Sequence, residues 1–217
     1  MSTKPIIVWD WNGTLLDDVE HSIRTMNSLL SERGLDLLDY KKYRQIFEFP
    51  VINYYRKLGF DFTRESFDVV GLEFMKRYFE GMDSITLYEQ AESTLRWFRS
   101  QGCRQMILSS MEQEMLEKML KDRGISDFFE AVAGIDNHYG GGKYEAAQRL
   151  NKAIMGNSEK VYMIGDTLHD VEVGIQAGYQ VLLVSYGHQD RSILLKAGVP
   201  VMENLAELVG WFFLSGF

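Results

Sequence analysis

Three observations predict a doubly wound α/β fold, a parallel sheet covered by helices on both faces, with a small all-helical domain inserted after its first strand. Short apolar runs rich in β-branched residues recur along the chain. They are continuous rather than alternating, the pattern of strands buried on both faces. They also alternate with segments of helical periodicity, except between the first and second runs, where only helical patterns occur.

The first strand is read in PIIVWD, residues 5–10. The insert follows as four helical patterns: DDVEHSIRTMNSLLSERG, DYKKYRQIF, VINYYRKLG and TRESFDVVGLEFMKRYFEGM. The strand and helix rhythm then resumes with ESTLRWFRSQG, RQMILSS (104–110), EQEMLEKMLKDRG and EAVAGID (130–136). It continues through KYEAAQRLNKAIMG, KVYMIGD (160–166), DVEVGIQAG, QVLLVSYG (180–187) and the shorter GVPVMEN (198–204). Most of the helical patterns close on a glycine, which suits a helix C-terminus. The closing run LVGWFFLSGF is far short of the roughly 20 residues a membrane helix needs and reads as a buried terminal helix. The expected organisation is a core of residues 1–16 and 85–217 and a helical domain of residues 17–84. A helical lobe over the carboxyl edge of a parallel sheet makes a crevice where such sheets bind ligands.

Composition narrows the function. The chain has 217 residues, 46% of them hydrophobic, enough to bury a core. A formal charge of −8 is the wrong sign for a nucleic-acid surface or an anionic membrane, so neither is an expected partner. The single cysteine, Cys103, has no intramolecular disulfide partner, and MSTKPIIVWD lacks the apolar length of a signal peptide, so the expected location is cytoplasmic.

Asp10, Ser109 and Asp166 each stand at the C-terminal end of an apolar run. In a parallel sheet those ends share one edge, so the three side chains converge on the crevice. Two carboxylates meeting there repel unless a cation lies between them. Mg²⁺ is the natural one, because it takes hard oxygen ligands and bridges carboxylates to phosphate. Lys143, after Gly140, Gly141 and Gly142, adds a second positive charge for an anion. This chemistry is phosphoryl transfer. Taken singly, each residue also has a simpler reading: Asp10 as a cap, Asn12-Gly13 as a tight turn, Lys143 as a solvated charge.

These residues resemble the motifs of the haloacid dehalogenase superfamily, in the same order. DWNGTLLDD is similar to its first motif, DxDGTLxD; ILSS supplies Ser109, GGGKYEAA supplies Lys143, and GDTLHDVEVGIQAG resembles GDxxxDxxxAxxAG. The position of the insert matches the helical cap of the phosphoglycolate phosphatase-like branch. FEFP, residues 47–50, falls where such caps carry a substrate-specificity loop, with Glu48 where glycine is common. The resemblance implies a phosphatase acting on a small phosphorylated metabolite, phosphoglycolate being the branch's example. It implies Asp10 as the nucleophile that forms an aspartyl-phosphate. Mg²⁺ would be held by Asp10, Asp166, Asp170 and the backbone carbonyl of Asn12. Ser109 and Lys143 would serve the transferred phosphoryl group, and Gly13, Thr14, Ser110 and Glu48 would meet substrate. Asp170 would support the metal shell or Lys143; an acid at a helix N-terminus is also favoured by the dipole alone.

Asn12 departs from the motif. The second aspartate of the motif protonates the leaving alkoxide, and an amide cannot; such catalysis is typically worth about 10² to 10⁴-fold. Four readings follow. The enzyme uses a relocated acid, such as His21 or Glu48, or a leaving group that needs no proton. It is similar instead to phosphonoacetaldehyde hydrolases, which read DWAGT and need a Schiff-base lysine, for which Lys41, Lys42 and Lys57 are available. It binds Mg²⁺ and a phosphorylated ligand without catalysis. Or Asn12 stands in for an acid, through deamidation at Asn-Gly or a deliberate exchange.

The remaining features read as structural. His169 is left out of the metal set, because Mg²⁺ prefers oxygen. His138 and His188 read as loop residues. Met111, Met115 and Met119 form a core stripe. Tyr54, Tyr55 and Arg56 read either as cap packing or as contacts to the far end of a substrate.

Overall fold

A computed structural model describes residues 4–135, 142–154 and 160–216. The strands β1 (Ile6–Trp9), β2 (Arg104–Glu112), β3 (Ala131–Ile135), β4 (Val161–Gly165), β5 (Gln180–Val184) and β6 (Val201–Met202) form one parallel sheet. Their order is β3-β2-β1-β4-β5-β6. From β1 the chain builds outward through β2 and β3, then crosses back to β4 on the other side. The carboxyl ends of β1 and β4 therefore flank the topological switch point, where open sheets of this kind bind ligands. Asp10 follows β1 and Asp166 follows β4.

The central strand β1 is buried along its length. Its alternate side chains feed two cores, as a strand period of two requires. Ile7 and Trp9 pack with helices α5 (Ala91–Ser100), α6 (Gln113–Asp122) and α10 (Leu205–Ser215). Ile6 and Val8 pack with α7 (Lys143–Ile154), α8 (Leu168–Ala177) and the short α9 (Arg191–Leu194). Met111 and Met119 are buried in the first core and Met115 packs against it, as the stripe predicts, but Met111 also lines the cavity described below. The apolar C-terminal run is part of α10 and buries Leu205, Leu208 and Phe212. Among the described residues no helix is long and apolar enough to cross a membrane.

Three elements differ from the sequence reading. β2 runs on to Glu112 instead of stopping at Ser110, and its pairing with β3 shifts between Leu108 and Glu112. A bulge of this kind bends a strand and re-aims its side chains, and here it falls on Ser109 and Ser110. β6 is only two residues long, and α9 was not foreseen, being too short to show a helical period.

Between β1 and β2 lie α1 (Val19–Glu32), α2 (Tyr40–Ile46), α3 (Val51–Lys57) and α4 (Phe67–Glu80). They share a buried cluster of their own that includes Met26, Leu30, Tyr43, Tyr55 and Val70. Asp39 and Ser66 cap α2 and α4 through their side chains. The two connecting strands run side by side, with Asp17 N donating to Thr86 O and Tyr88 N to Leu15 O, each at 3.0 Å. A second attachment docks α2 on the loop after β5. The Arg44 guanidinium donates to the carbonyls of Ser185, Gly187 (2.7 Å) and Gln189 (2.9 Å). Gln189 Nε2 in turn donates to Phe47 O at 2.9 Å.

Candidate active site

Asp10 leaves β1 at the floor of a cavity roofed by the helical insert. It is 5% exposed. Lys143, the first residue of α7, places its Nζ 2.5 Å from Asp10 Oδ1 and 2.5 Å from Asp170 Oδ1. Thr14 Oγ1 donates to Asp10 Oδ2 at 3.0 Å. Burial nevertheless outweighs Lys143 and pushes the Asp10 carboxyl up to about 6. Asp170 is held on both oxygens: Lys143 takes Oδ1, while Oδ2 accepts from the Asp166 and Thr167 amides at 3.1 and 2.9 Å and from Thr167 Oγ1 at 2.7 Å. It is at once the capping-box residue of α8 and the anchor of Lys143.

Asp166 lies across the switch point. Its carboxylate accepts from His188 N at 2.5 Å, and Thr14 Oγ1, which donates to Asp10, lies 3.4 Å from its other oxygen. Burial, with Asp10 and Asp170 nearby, pushes it up to about 8 in spite of His188. The carboxylates of Asp10, Asp166 and Asp170 each offer an oxygen within 4.8 Å of the others, all buried. A hard divalent cation fits this donor set, since Lys143 serves only Asp10 and Asp170, the Asp10 and Asp166 carboxyls are both raised by burial, and oxygen ligands suit such an ion. Asp10 and Asp166 have more ligand capacity left than Asp170. Gly13, at φ +73, makes the approach possible: a Cβ there would stand 2.3 Å from Asp166 Oδ2.

Asn12 has a partner set of its own. Its Nδ2 donates to Asp18 Oδ2 and to Tyr78 Oη, each at 2.9 Å, and Tyr78 Oη donates to the same Asp18 oxygen at 2.8 Å. Gly13 N donates to Asp18 Oδ1 at 2.9 Å, and His188 Nε2 lies 3.3 Å from that oxygen. Burial would raise the Asp18 carboxyl, but His188, Asn12 and Tyr78 together bring it below its usual range. For His188, burial would lower the imidazole, yet Asp18, Asp166 and Asp10 raise it to about 9. Its Nδ1 meets Tyr43 Oη at 2.7 Å. The amide at position 12 is therefore matched to a carboxylate at 18, where a second acid would face like charge.

Asp18 and His188 are cavity-lining residues the sequence reading passed over. His188 does lie in a loop, as read, but that loop follows β5 at the same carboxyl edge that selected Asp10, Ser109 and Asp166. Extending the edge argument one strand further would have found it. Asp18 was masked by its neighbour: Asp17 is exposed and Asp18 is buried, a distinction that needs the start of α1 fixed first.

The other expected residues divide. Ser109 and Ser110 line the cavity; Ser109 Oγ accepts from Met111 N at 3.0 Å, and Ser110 Oγ is buried without a partner among the described residues. Gly13 and Thr14 stand behind the carboxylates and are not among the residues that line the cavity. Glu48 is drawn away to Lys57 at 2.6 Å, and only its neighbours Phe47 and Phe49 line the cavity. His21 turns its Nε2 to Tyr78 O at 2.8 Å and faces the interior of the cap. Neither is placed to give a proton at Asp10. None of Lys41, Lys42 and Lys57 lines the cavity, which leaves the Schiff-base reading without its amine. Tyr54 and Tyr55 both line the cavity and pack in the cap core, while Arg56 is exposed beside Asn53. His169 stacks on Phe49 with ring centroids 4.5 Å apart and turns its Nδ1 toward Glu172 at 3.5 Å. His138, Gly140 and Gly141 lie outside the described residues.

The model of the family described as haloacid dehalogenase-like hydrolase matches residues 7–184. The chain belongs to that family. Phosphoglycolate phosphatase of Aquifex aeolicus is 27% identical over 84% of this chain and 85% of its own length. The phosphoglycolate phosphatase of Nitrosococcus oceani is 25% identical over 94% of each chain. Among solved structures, a haloacid dehalogenase-like hydrolase from Streptococcus pneumoniae superposes with a TM-score of 0.79 at 20% identity, covering 98% of this chain and 100% of the other, and so shares the fold. Family membership and these relatives support the expected enzyme class, a phosphatase.

Proposed function

We propose that this family member is a Mg²⁺-dependent phosphohydrolase of small phosphate monoesters that works through an aspartyl-phosphate on Asp10. The reading rests on one observation above the others: a buried Asp10 carboxylate, oriented by Lys143 and Thr14 at the switch point of the sheet, opens into a cavity beneath the helical insert. Residues 17–84 are read as the cap that shapes that cavity and residues 1–16 and 85–217 as the core. Asp10, Asp166 and the backbone at Asn12 would hold the cation, which, when bound, supplies charge neutralisation to the phosphoryl oxygens. Asp10 Oδ2 attacks phosphorus while Lys143 and Asp170 fix the other oxygen. Lys143 and the Ser109 and Ser110 hydroxyls stabilise the phosphoryl group, and the ester oxygen departs with its electron pair. Dividing one displacement into two is what a covalent intermediate contributes. Asn12 gives no proton; it holds Asp18 in place. Phosphoglycolate, named for the relatives, is the first compound to assay.

The test is phosphate release from p-nitrophenyl phosphate by the full chain. Turnover should vanish in Asp10→Asn, stop on chelation with EDTA and return with Mg²⁺. Intact mass after a rapid acid quench should show one phosphoryl adduct, located on Asp10. An Asp10→Asn protein that retains turnover would overturn the mechanism.

A further inference from the structure

The cavity above Asp10 has two chemically different ends. At the floor lie Asp10, Ser109, Ser110 and Lys143. The walls and roof are mainly apolar and largely aromatic, contributed by Met26 of α1, Phe49 before α3, Tyr54 of α3, Phe67 and Phe74 of α4, and Met111 of β2, with Ser22 and Glu112 as the polar members. Among the described lining residues the only cations are Lys143 and His188. Both are committed: Lys143 to Asp10 and Asp170, and His188 to Asp18, beside Tyr43.

A substrate carrying a second anionic group, as a phosphorylated hydroxy acid does, would bury that group against rings that have no free counter-charge among the described residues, which is strongly unfavourable. An apolar body instead gains its burial, and aromatic walls favour a ring through edge and offset contacts. The whole cavity, polar floor included, measures about 190 Å³, against roughly 150 Å³ for an engineered apolar cavity known to hold one benzene ring. Gly71 of α4 lines the same space, and a Cβ added to it would meet nothing within 4 Å. The polar floor bears on the same question. Asn12 cannot protonate a leaving oxygen, and its amide is occupied by Asp18 and Tyr78. A phenolic oxygen leaves as an anion far more readily than an alkoxide.

We infer that the cap cavity selects phosphate monoesters of aromatic alcohols, with the phosphoryl group on Asp10 and the ring among Phe49, Tyr54, Phe67 and Phe74. The inference rests on the phosphohydrolase reading for its chemistry. In the first step a bond forms between an Asp10 oxygen and phosphorus, and the bond between phosphorus and the aryl oxygen breaks. The electron pair stays on the phenolate, which takes its proton from water. Water then attacks the aspartyl-phosphate, giving inorganic phosphate and free Asp10.

The experiment has two arms on the same protein with Mg²⁺. The first compares kcat/KM for phenyl phosphate, octyl phosphate and phosphoglycolate. The second measures binding of the unreactive phenylphosphonate and phosphonoacetate by calorimetry. Phenyl phosphate should exceed phosphoglycolate by about 10²-fold or more, the factor that burial of one ring supplies, and phenylphosphonate should bind more tightly than phosphonoacetate by a similar factor. Gly71→Leu, which fills the cavity and suits the helix better than glycine, should fold normally and raise KM for phenyl phosphate. Equal or better use of phosphoglycolate overturns the aryl class while the phosphohydrolase reading stands. Preference for octyl phosphate over phenyl phosphate overturns the aromatic assignment. Tight phenylphosphonate binding with no turnover of any ester supports the ring site and overturns hydrolysis. Absence of both turnover and phenylphosphonate binding overturns the proposal.

Discussion

Asp10 and Asp18 are both buried acids at the two ends of one short loop, and their surroundings shift them in opposite directions. Asp18 accepts from Gly13 N, Asn12 Nδ2, Tyr78 Oη and Ser22 Oγ and faces His188, and it stays charged below the usual carboxylate range. Asp10 has a hydroxyl and an ammonium shared with Asp170, and burial carries it up to about 6. Burial is common to both; the number of donors decides the outcome. A carboxylate whose lone pairs are all used holds structure, whereas one left short of donors keeps lone pairs free for a further partner.

The most damaging way to break the contrast is to remove the one cation on the Asp10 side. Lys143→Met leaves Asp10 and Asp170 buried without their shared ammonium, and breaking a buried pair of this kind costs about 3–5 kcal/mol. Urea unfolding at about pH 8 should show that loss. The sign with pH follows from the direction of the shift. A carboxyl raised in the folded state binds its proton more tightly there than in the unfolded chain, so acidification toward about pH 5 should recover part of the lost stability. A penalty below about 1 kcal/mol, or one that grows on acidification, would contradict this account of the pair.

A smaller and more informative change exchanges the roles of residues 12 and 18. Asn12→Asp sets a second carboxylate where Nδ2 now donates to Asp18 at 2.9 Å, and should destabilise by about 1–3 kcal/mol. The double exchange Asn12→Asp with Asp18→Asn restores one amide and one acid in contact and should recover most of that loss. It also returns an acid to position 12, so kcat/KM for an alkyl phosphate should rise by about 10²-fold. If the two single changes simply add in a double-mutant cycle, the contact between these side chains has no energetic weight.

How much of this was legible beforehand depends on range. The strands followed from continuous apolar runs, and the shared edge of a parallel sheet was enough to bring Asp10, Ser109 and Asp166 together, while Lys143 was added from the glycine run before it and the helix it opens. Family motifs supplied their roles. The partnership of Asn12 was not legible, because Tyr78 lies 66 residues along the chain on α4 and meets it only once the cap is docked. Glu48 misled for the opposite reason: its loop does reach the cavity through Phe47 and Phe49, but local pairing with Lys57 turns that one side chain outward. Motif position gives the backbone's location; the direction of a side chain depends on competing partners.

The smallest expected effect, that of Tyr54→Phe, emerges from a comparison of two tyrosines of the helical insert that share burial but not partners. Tyr78 Oη accepts from Asn12 and donates to Asp18, so Tyr78→Phe leaves an amide and a carboxylate each short of one bond. A hydrogen bond to a charged group is worth about 1.5–3 kcal/mol, and a loss in that range should appear in urea unfolding. Tyr54 Oη is equally inaccessible and has no partner among the described residues. Its removal discards an unsatisfied polar atom while keeping the ring in the cavity wall, so Tyr54→Phe should be neutral or stabilise by up to about 1 kcal/mol. A destabilisation of Tyr54→Phe equal to that of Tyr78→Phe would mean that burial alone, not partner count, governs the polar groups around this cavity. The contrast drawn between Asp10 and Asp18 would then lose its basis.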